Sequence, residues 1–344
     1  MAALRRVDGS DTLSLMEKAP ARLSVPPNAP LTCGTFAKPR EIVIGGVGGS
    51  GIVGDILVDQ CRDAIDVPVS VCRALTLPYF VGEQTLFVAI SYSGETEETL
   101  GLLRQAIQRK ASVVTITSGG RLLSLSREER IRHVQVQPGM LTRLALPELV
   151  SAAMFVLGAA GIIQDADRLL LETADSVAVE IERVKPTVPS PRNQAKQIAQ
   201  ALVGKLPLLF GSEENVSVLR RFKNELNENS KIPAFYCALP EGYHDDVEGL
   251  RTLGQLTQVQ PIMVRSLTET DGQKRTRERL YAVLNELHFP TVLELSGSGP
   301  NRLSQLFTAI TISDYVSVYL AVLRRVDPTE LTLIPDFRKA MRGI

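Results

Sequence analysis

A chain of 344 residues is long enough for two domains of ordinary size, and its apolar fraction of 44% is sufficient for a buried core. Lysine plus arginine equal aspartate plus glutamate at 38 each, so the formal net charge is zero. This balance argues against a nucleic-acid-binding protein, which would need a concentrated basic surface. A local basic run, Lys274–Arg279, is interpreted as a solvated helix face.

The chain contains four cysteines, Cys33, Cys61, Cys72 and Cys237. None forms a C-x-x-C pair or has metal-like spacing with a histidine, so we expect reduced thiols in a cytoplasmic protein and no metal site. No apolar stretch follows Met1–Arg6, as a secretory signal would require. The longest membrane-like segment, Leu149–Ile163, is too short to span a bilayer, and no membrane contact is expected.

Apolar runs alternate with helical stretches after an irregular N-terminal arm, residues 1–40, in which one helix is predicted near Leu13–Leu23. The next predicted elements are strand Glu41–Gly46, helix Ser50–Asp63, strands Val67–Cys72 and Thr85–Ser91, helix Glu95–Lys110, strand Ser112–Thr117, edge strand Val134–Gln137 and a long helical section Leu144–Val184. Such alternation is typical of a parallel sheet covered by helices on both faces.

A proline-rich segment, Lys185–Pro191, predicts a linker, so we place one domain at residues 41–185 and a second at residues 192–344. The elements predicted in the second domain are strand Leu206–Gly211, helix Asn215–Glu225, strands Pro233–Cys237 and Pro261–Ser266, helix Thr268–Leu287, strand Thr291–Leu295 and helices Leu303–Val326 and Pro335–Met341. The shared pattern of the two halves indicates duplication of one α/β unit.

A glycine-rich turn, Gly46–Gly51, follows the first strand and fits G-x-G-x-x-G. A dinucleotide site would normally have an acidic residue at the end of the second strand, where this chain has Arg73. Arg73 suits a 2′-phosphate, so a nicotinamide cofactor stays open as an alternative. The simpler interpretation is a flexible turn in which Gly49 and Ser50 let the backbone approach a ligand closely.

A turn rich in hydroxyl groups, formed by Ser91, Ser93 and Thr96 around Gly94, follows the third strand. Free N–H groups at a helix start and short hydroxyls together form a cradle for an anion. The turn contains no lysine, so we expect a phosphate held without a metal. The plain alternative is N-capping, with the glutamates of Glu95–Glu98 complementing the helix dipole. Three hydroxyls exceed what capping needs, which favours phosphate if those glutamates point away.

A second polar cluster, Lys223–Lys231, ends a predicted helix. Asn227 and Asn229 flank Glu228 there, and two amides beside one carboxylate can orient a general base. A solvated loop is the plain alternative. His244 follows in a turn beside two aspartates, where an exposed loop histidine is the plain interpretation.

Four segments, in this order and spacing, resemble the bifunctional phosphoglucose/phosphomannose isomerases of the sugar isomerase (SIS) superfamily, from about Glu41 to the C-terminus. The matching segments are Gly46–Asp55 (GVGGSGIVGD), Ser91–Thr99 (SYSGETEET), Thr117–Gly120 (TSGG) and Leu226–Lys231 (LNENSK). The resemblance implies an α/β fold of two SIS-type doubly wound domains, each a mainly parallel sheet flanked by helices.

Binding roles follow from the same resemblance. Ser91, Ser93 and Thr96 would hold the phosphate, and Gly49 and Ser50 would lie along the sugar. The expected ligand is therefore a small sugar phosphate, bound without metal or organic cofactor.

Catalytic roles are implied for three further residues. Glu228 would be the base that moves the proton, and Arg143 would stabilise the intermediate. His244 would open the sugar ring, reaching into the site of the neighbouring subunit of a homodimer. The family usually has a proline before that arginine, whereas this chain has Thr142.

The last helix departs from the family pattern. The family has a lysine there, and the apolar positions align it with Arg338, while Lys339 comes one residue later. Either residue is a candidate for the ring-opening partner. A family threonine near the C-terminus, associated with mannose substrates, corresponds to Thr329 or Thr332.

The expected reaction is reversible conversion of glucose 6-phosphate and mannose 6-phosphate to fructose 6-phosphate through a cis-enediolate. Two alternatives stay open: a non-catalytic SIS sensor or regulator of sugar phosphates, and an amino-sugar phosphate isomerase. A regulator would usually carry a DNA-binding domain, for which residues 1–40 are too short.

Overall fold

The computed structural model describes residues 7–24, 38–256 and 258–341, and the side chains of Leu256, Arg338, Lys339 and Met341 lie outside the described part. The described residues form two compact units. One, called the amino-terminal unit, falls within Lys18–Ala178 and Ser298–Phe307; the other, called the carboxyl-terminal unit, falls within Met1–Glu17, Val179–Gly297 and Thr308–Ile344. The domain limits 41–185 and 192–344 stay a prediction.

The first half of the chain alternates strands and helices as predicted. In chain order its elements are α1 (Thr12–Met16), α2 (Ala19–Ser24), β1 (Glu41–Gly45), α3 (Gly48–Cys61), β2 (Val69–Cys72), β3 (Thr85–Ile90), α4 (Glu97–Gln108), β4 (Ser112–Thr117), α5 (Gly120–Glu128), β5 (Arg132–Gln135), a 3₁₀ turn (Thr142–Leu144), α6 (Leu146–Ala159) and α7 (Ala166–Val184).

The second half continues the alternation. Its elements are 3₁₀ turn Ser190–Arg192, α8 (Gln194–Ala201), β6 (Leu206–Ser212), 3₁₀ turn Glu213–Asn215, α9 (Val216–Glu228), β7 (Phe235–Leu239), 3₁₀ turn Glu241–Tyr243, α10 (Asp246–Leu256), β8 (Val259–Arg265), α11 (Asp271–Glu286), β9 (Leu293–Ser296), α12 (Arg302–Arg324) and α13 (Leu333–Met341).

The amino-terminal unit contains a five-stranded parallel sheet in the order β2-β1-β3-β4-β5. β1 pairs with β3, from Glu41 opposite Thr85 to Gly45 opposite Ala89. The strand order reverses between β1 and β3, and open α/β sheets bind ligands at the carboxyl ends of the strands at such a point. The glycine turn and the hydroxyl turn both begin there.

The core beneath these turns is largely apolar. All six residues of β3 are buried, and Leu86–Ile90 form a continuous apolar run in the sequence. A Cβ added to Gly45 would lie 2.5 Å from Cζ of Phe87, so the buried ring leaves no room for a side chain there. Burial of an aromatic side chain of this kind contributes about 1.5–3 kcal/mol.

The carboxyl-terminal unit contains a four-stranded parallel sheet in the order β7-β6-β8-β9. Its order matches that of the first four strands of the other sheet, as a duplicated α/β unit would. The core of this unit includes Phe210, Met263, Leu280 and Leu284. The predicted fold class, two doubly wound α/β domains, is confirmed.

The elements differ from the predictions in three ways. α5, α8 and α10 have no counterpart among the predicted elements. The helical section Leu144–Val184 is interrupted between α6 and α7. Gly161, just after α6, has a positive φ, a conformation that ends a helix, and Asp165, also with positive φ, directly precedes α7. The single helix predicted near Leu13–Leu23 is divided into α1 and α2.

One helix, α12, is long and apolar enough to cross a membrane by length and composition alone. Of its most apolar window, 83% is buried inside the structure, as in the core helix of a globular domain. It is longer than Leu149–Ile163, the segment singled out in the sequence. α12 also carries Asp314, which forms a buried ion pair described below.

Candidate active site

The glycine turn and the hydroxyl turn are joined by a direct hydrogen bond. The Tyr92 amide donates to Oγ of Ser50, at 3.3 Å. Ser50 lies in the first turn of α3, and both it and Ser91 are buried. The two segments predicted separately from the sequence therefore form one polar surface in the amino-terminal unit.

Three hydroxyls line the turn before α4. Oγ of Ser91 lies 2.9 Å from Oγ1 of Thr96, and the Gly94 amide donates to Oγ of Ser91 at 3.2 Å. The Glu95 amide donates to Oγ of Ser93, at 3.3 Å. Thr96 occupies the N-cap position of α4, but within the described residues its side chain makes no capping hydrogen bond. Capping by Thr96 therefore does not explain the cluster, and the hydroxyls stand at a helix N-terminus, the end that favours an anion.

Glycine is required at the centre of this turn. Gly94 has a φ of +70°, and a Cβ there would lie 1.9 Å from the carbonyl oxygen of Gly119. The loop after β4 holds the turn from this side, because the amide and the hydroxyl of Ser118 both donate to the Tyr92 carbonyl, at 2.9 and 2.6 Å. The hydroxyl turn is thus preorganised by backbone contacts.

Two glutamates next to the turn form ion pairs with an arginine. Arg121 at the start of α5 donates to the carboxylates of Glu95 and Glu97, at 2.8 and 2.5 Å. The hydrogen bonds with Glu97 and Glu95 raise the pKa of Arg121 above its ordinary value. Arg121 compensates the charge of Glu95 and Glu97, which would otherwise repel a phosphate, so the condition set by the sequence is met for these two of the three glutamates.

Arg143 is brought beside the glycine turn. A Cβ added to Gly49 would lie 3.3 Å from Cγ2 of Thr142 and 3.8 Å from Cα of Arg143. Arg143 is only 6% exposed. The 3₁₀ turn that carries it is held by α2, whose Arg22 donates to the Leu144 carbonyl at 3.1 Å.

Tyr92 connects the hydroxyl turn to the segment leading to Arg143, a role that the sequence analysis missed. Its hydroxyl donates to the Gln137 carbonyl at 2.8 Å and accepts from the Met140 amide at 2.9 Å. Burial raises the pKa of Tyr92, so the hydroxyl keeps the proton that it donates. The sequence feature that could have indicated this role is a large aromatic residue between two serines of a polar turn.

Arg73 does not serve a dinucleotide phosphate here. Its guanidinium donates to the Gly51 carbonyl at 3.0 Å and to the carboxylate of Asp55 at 2.5 Å, both on α3. The arginine that a 2′-phosphate would need is therefore engaged in holding the first turns of α3. This contact argues against the nicotinamide alternative.

In the carboxyl-terminal unit, Glu228 is the last residue of α9 and is half-buried. Lys231 fixes the chain immediately after it, because its Nζ donates to the Glu228 carbonyl at 2.5 Å and to the Asp327 carbonyl at 3.0 Å. A carboxylate at the negative end of a helix dipole is electrostatically unfavourable. The helix dipole therefore gives no structural reason for a carboxylate at this position, although Arg221 of the same helix attracts it.

The amides that flank Glu228 hold the end of the helix. Asn229 donates to Oε2 of Glu225 at 2.8 Å and to Oγ of Ser317 at 2.9 Å. Asn227 donates to the Ile232 carbonyl at 3.0 Å. Their hydrogen bonds shape the turn that presents Glu228.

A buried ion-pair network supports the same helix. Arg221 forms two hydrogen bonds of 2.9 Å with Asp314 and an ion pair of 2.8 Å with Glu225. Burial opposes the charge of Arg221, but Asp314 and Glu225 outweigh it and raise the pKa of the guanidinium. The network is completed by Asn229, which joins Glu225 to Ser317 of α12.

His244 follows the 3₁₀ turn Glu241–Tyr243 and is exposed. Its ring lies against that of Tyr243, with the centroids 4.3 Å apart. The hydroxyl of Thr329 donates to Asp327 at 2.7 Å, whereas Thr332 is an exposed residue before α13. The side chain of Lys339, like that of Arg338, lies outside the described residues.

The structure thus places the candidate residues in two groups. The amino-terminal unit brings together Gly49, Ser50, Ser91, Ser93, Thr96 and Arg143. The carboxyl-terminal unit carries Glu228 and His244.

Two family models match the chain, one in each half. The SIS domain family model matches residues 35–160, and the model of the bacterial phospho-glucose isomerase C-terminal SIS domain matches residues 191–341. A bifunctional phosphoglucose/phosphomannose isomerase of Caldicellulosiruptor bescii is 32% identical over 88% of this chain and 90% of that protein. A D-glucosamine-6-phosphate 4-epimerase of Sulfolobus acidocaldarius is 27% identical over 89% of this chain and 90% of that protein.

A solved structure has the same fold. It is described as a glucose-6-phosphate isomerase like protein from Thermus thermophilus and matches with a TM-score of 0.65. The two chains are 18% identical, and the match covers 98% of each. At this identity the likeness concerns the fold.

Proposed function

Because the chain belongs to the family of bifunctional phosphoglucose/phosphomannose isomerases, we propose that it interconverts glucose 6-phosphate, mannose 6-phosphate and fructose 6-phosphate. The observation that carries the proposal is the preorganised turn of Ser91, Ser93 and Thr96, whose nearby carboxylates are paired with Arg121. A phosphate held there supplies binding energy remote from the reacting carbons and orients them.

The proposed chemistry begins with a weakly acidic C2 proton next to the sugar carbonyl. Glu228 takes this proton from C2 and returns it to C1, which converts aldose to ketose. Negative charge develops on the enediolate oxygens, and Arg143 stabilises it. Glucose and mannose 6-phosphates differ only at C2, and the planar intermediate erases that difference. One site therefore serves both epimers.

Ring opening and assembly complete the proposal. His244 opens the sugar ring from the neighbouring subunit of a homodimer, with Lys339 as its partner from the last helix. The enzyme works in the cytoplasm on a small sugar phosphate. Its chemistry uses neither a metal nor an organic cofactor.

The direct test offers purified protein each sugar phosphate separately. Fructose 6-phosphate should form from both glucose 6-phosphate and mannose 6-phosphate, and each aldose should form from fructose 6-phosphate. Binding of these sugars without any turnover would instead support the SIS sensor.

A second candidate is favoured by one observation, the relative named as a D-glucosamine-6-phosphate 4-epimerase. The same assay should therefore include glucosamine 6-phosphate. Turnover of this amino sugar, with glucose and mannose 6-phosphates left unchanged, would replace the proposed function by an amino-sugar phosphate activity.

Tyr92 provides a test of how the cradle and Arg143 cooperate. Replacing Tyr92 by Phe removes two hydrogen bonds, each worth about 0.5–1.5 kcal/mol, from the segment that leads to Arg143. We expect kcat for glucose 6-phosphate to fall by about tenfold while KM changes little, since the phosphate-binding hydroxyls remain.

Tyr281→Phe is the matched control, because that hydroxyl also donates one hydrogen bond, to Glu294, and belongs to the carboxyl-terminal unit. The control should retain wild-type kcat. Equal losses in both variants would show that Tyr92 acts only through general stability.

A further inference from the structure

A groove between the end of β7, α10 and α11 is not used by the proposed reaction. It has a volume of about 420 Å³, within the range of small-molecule sites. Its lining residues are Leu239, Tyr243, Val247, Arg275, Thr276, Arg279, Leu280 and Val283. All eight belong to the carboxyl-terminal unit. We call it the arginine groove.

The floor of the groove is apolar. Leu239 and Leu280 belong to the core cluster of the carboxyl-terminal unit, and Val247 packs against that cluster. Tyr243 forms one wall of the groove and is 47% exposed. Its ring is largely apolar, so apolar surface faces water there. An apolar ligand would cover surface that is now in contact with water.

The rim is positively charged. Arg275 and Arg279 lie four residues apart on α11, so both face the same side of the helix. Among the described residues that line the groove there is no carboxylate. Arg279 pairs with Glu286 at 3.0 Å, but both side chains are more than 60% exposed, and such pairs contribute little. Arg275 has no ion-pair partner among the described residues.

We propose that the arginine groove binds a small organic anion with an apolar body and a single carboxylate or sulfonate group. The apolar part would lie over Leu239, Leu280 and Val283, and guanidinium groups match such acids in geometry and charge. The basic run Lys274–Arg279, interpreted from sequence as a solvated helix face, then has a ligand-binding side. The proposal does not depend on the isomerase activity.

Ligand binding in the arginine groove can be followed through the NMR signal of the His244 ring. Tyr243 lines the groove, and its ring contacts that of His244 at 4.3 Å between centroids. The chain has only three histidines, so the NMR signals of their ring protons are separable. A ligand that contacts Tyr243 should shift the His244 signal, while His133 on β5, in the other unit, should not respond.

The test uses the full chain and the fluorescent anion 8-anilinonaphthalene-1-sulfonate. N-phenyl-1-naphthylamine has the same rings without the sulfonate and serves as the neutral comparison. We expect one site per chain, sulfonate binding about tenfold tighter than the neutral dye, and displacement by decanoate but not by decyltrimethylammonium. The double variant R275Q/R279Q should lose about tenfold in sulfonate affinity.

The matched control is the double variant R251Q/K274Q. It removes two positive charges from α10 and α11 at positions outside the groove, and it should bind the sulfonate as the wild type does. Equal binding of both dyes, unaffected by R275Q/R279Q, would overturn the proposal. A shift of the His133 signal with His244 unchanged would also overturn it. Sulfonate binding that appears only when a dimer is diluted to monomer would assign the groove to a second copy of the chain instead.

Discussion

Replacing Glu228 by Gln is expected to lower isomerisation by about 10²–10⁴-fold, the usual contribution of a general base. The amide has the same size but cannot accept the C2 proton. The turn itself should stay intact, because Lys231 holds Glu228 through its backbone carbonyl, which the substitution leaves unchanged. KM for glucose 6-phosphate should therefore remain close to the wild-type value. Steady-state kinetics together with sugar-phosphate binding by calorimetry measure both quantities.

Measuring the stability of the Glu228→Gln variant distinguishes a catalytic from a structural role for Glu228. The carboxylate opposes the helix dipole but attracts Arg221, and these two effects have opposite signs, so the neutral amide should change the free energy of unfolding by less than about 1 kcal/mol. Glu278→Gln, an exposed change on α11, is the matched control and should keep full activity. Wild-type turnover in the Glu228 variant would remove this residue from the mechanism.

The same variant tests whether His244 acts across subunits. Mixed dimers of E228Q and H244Q contain one site with both residues intact if His244 comes from the neighbouring subunit. Mixing the two inactive proteins should then restore part of the activity. A mixture that stays inactive, although mixed dimers form, would contradict the cross-subunit role.

How well the strands were predicted depended on their burial. β3 is buried at every position, and its predicted and observed limits differ by one residue. β5 lies at the sheet edge and alternates less clearly, so Val134–Gln137 was predicted where the structure has Arg132–Gln135. β8 is an exception, because six of its seven residues are buried, yet it was predicted to begin at Pro261 and begins at Val259.

The candidate site could be predicted where its residues are close in sequence. Ser91, Ser93 and Thr96 stand in one turn, and their hydroxyl chemistry is visible without a fold. The ion pair of Glu95 could not be predicted, because its partner Arg121 is 26 residues away and is brought near only by the pairing of β3 with β4. The bridge from Tyr92 to Gln137 spans 45 residues and was missed for the same reason.

Buried charges are the hardest part to predict from a single sequence. Arg221 stands in a helix whose other polar residues are typical of a solvated face, and Asp314 lies 93 residues further on in an apolar helix. Nothing local links them. Yet Arg221 is 2% exposed and satisfies two carboxylates at once.

Replacing Arg221 by Met is therefore expected to destabilise the carboxyl-terminal unit by about 3–5 kcal/mol, because it leaves Glu225 and Asp314 buried without their cation. Methionine has similar length, so a cavity contributes little to this loss. The protein has two units, and global unfolding need not be two-state, so the measurement should be native-state hydrogen exchange of the α9 and α12 amides. Arg251→Met, an exposed change on α10, is the control and should cost less than about 1 kcal/mol.

A triple variant can show what causes the loss of stability in Arg221→Met. If uncompensated carboxylates are responsible, the triple variant with Arg221→Met, Glu225→Leu and Asp314→Leu should recover much of the stability, because buried ion pairs are often replaceable by apolar residues. The recovery should be incomplete, since Asn229 would lose its acceptor on Glu225. A loss below about 1 kcal/mol for Arg221→Met alone would mean that water reaches Glu225 and Asp314, and the network would then not hold the helix that ends at Glu228.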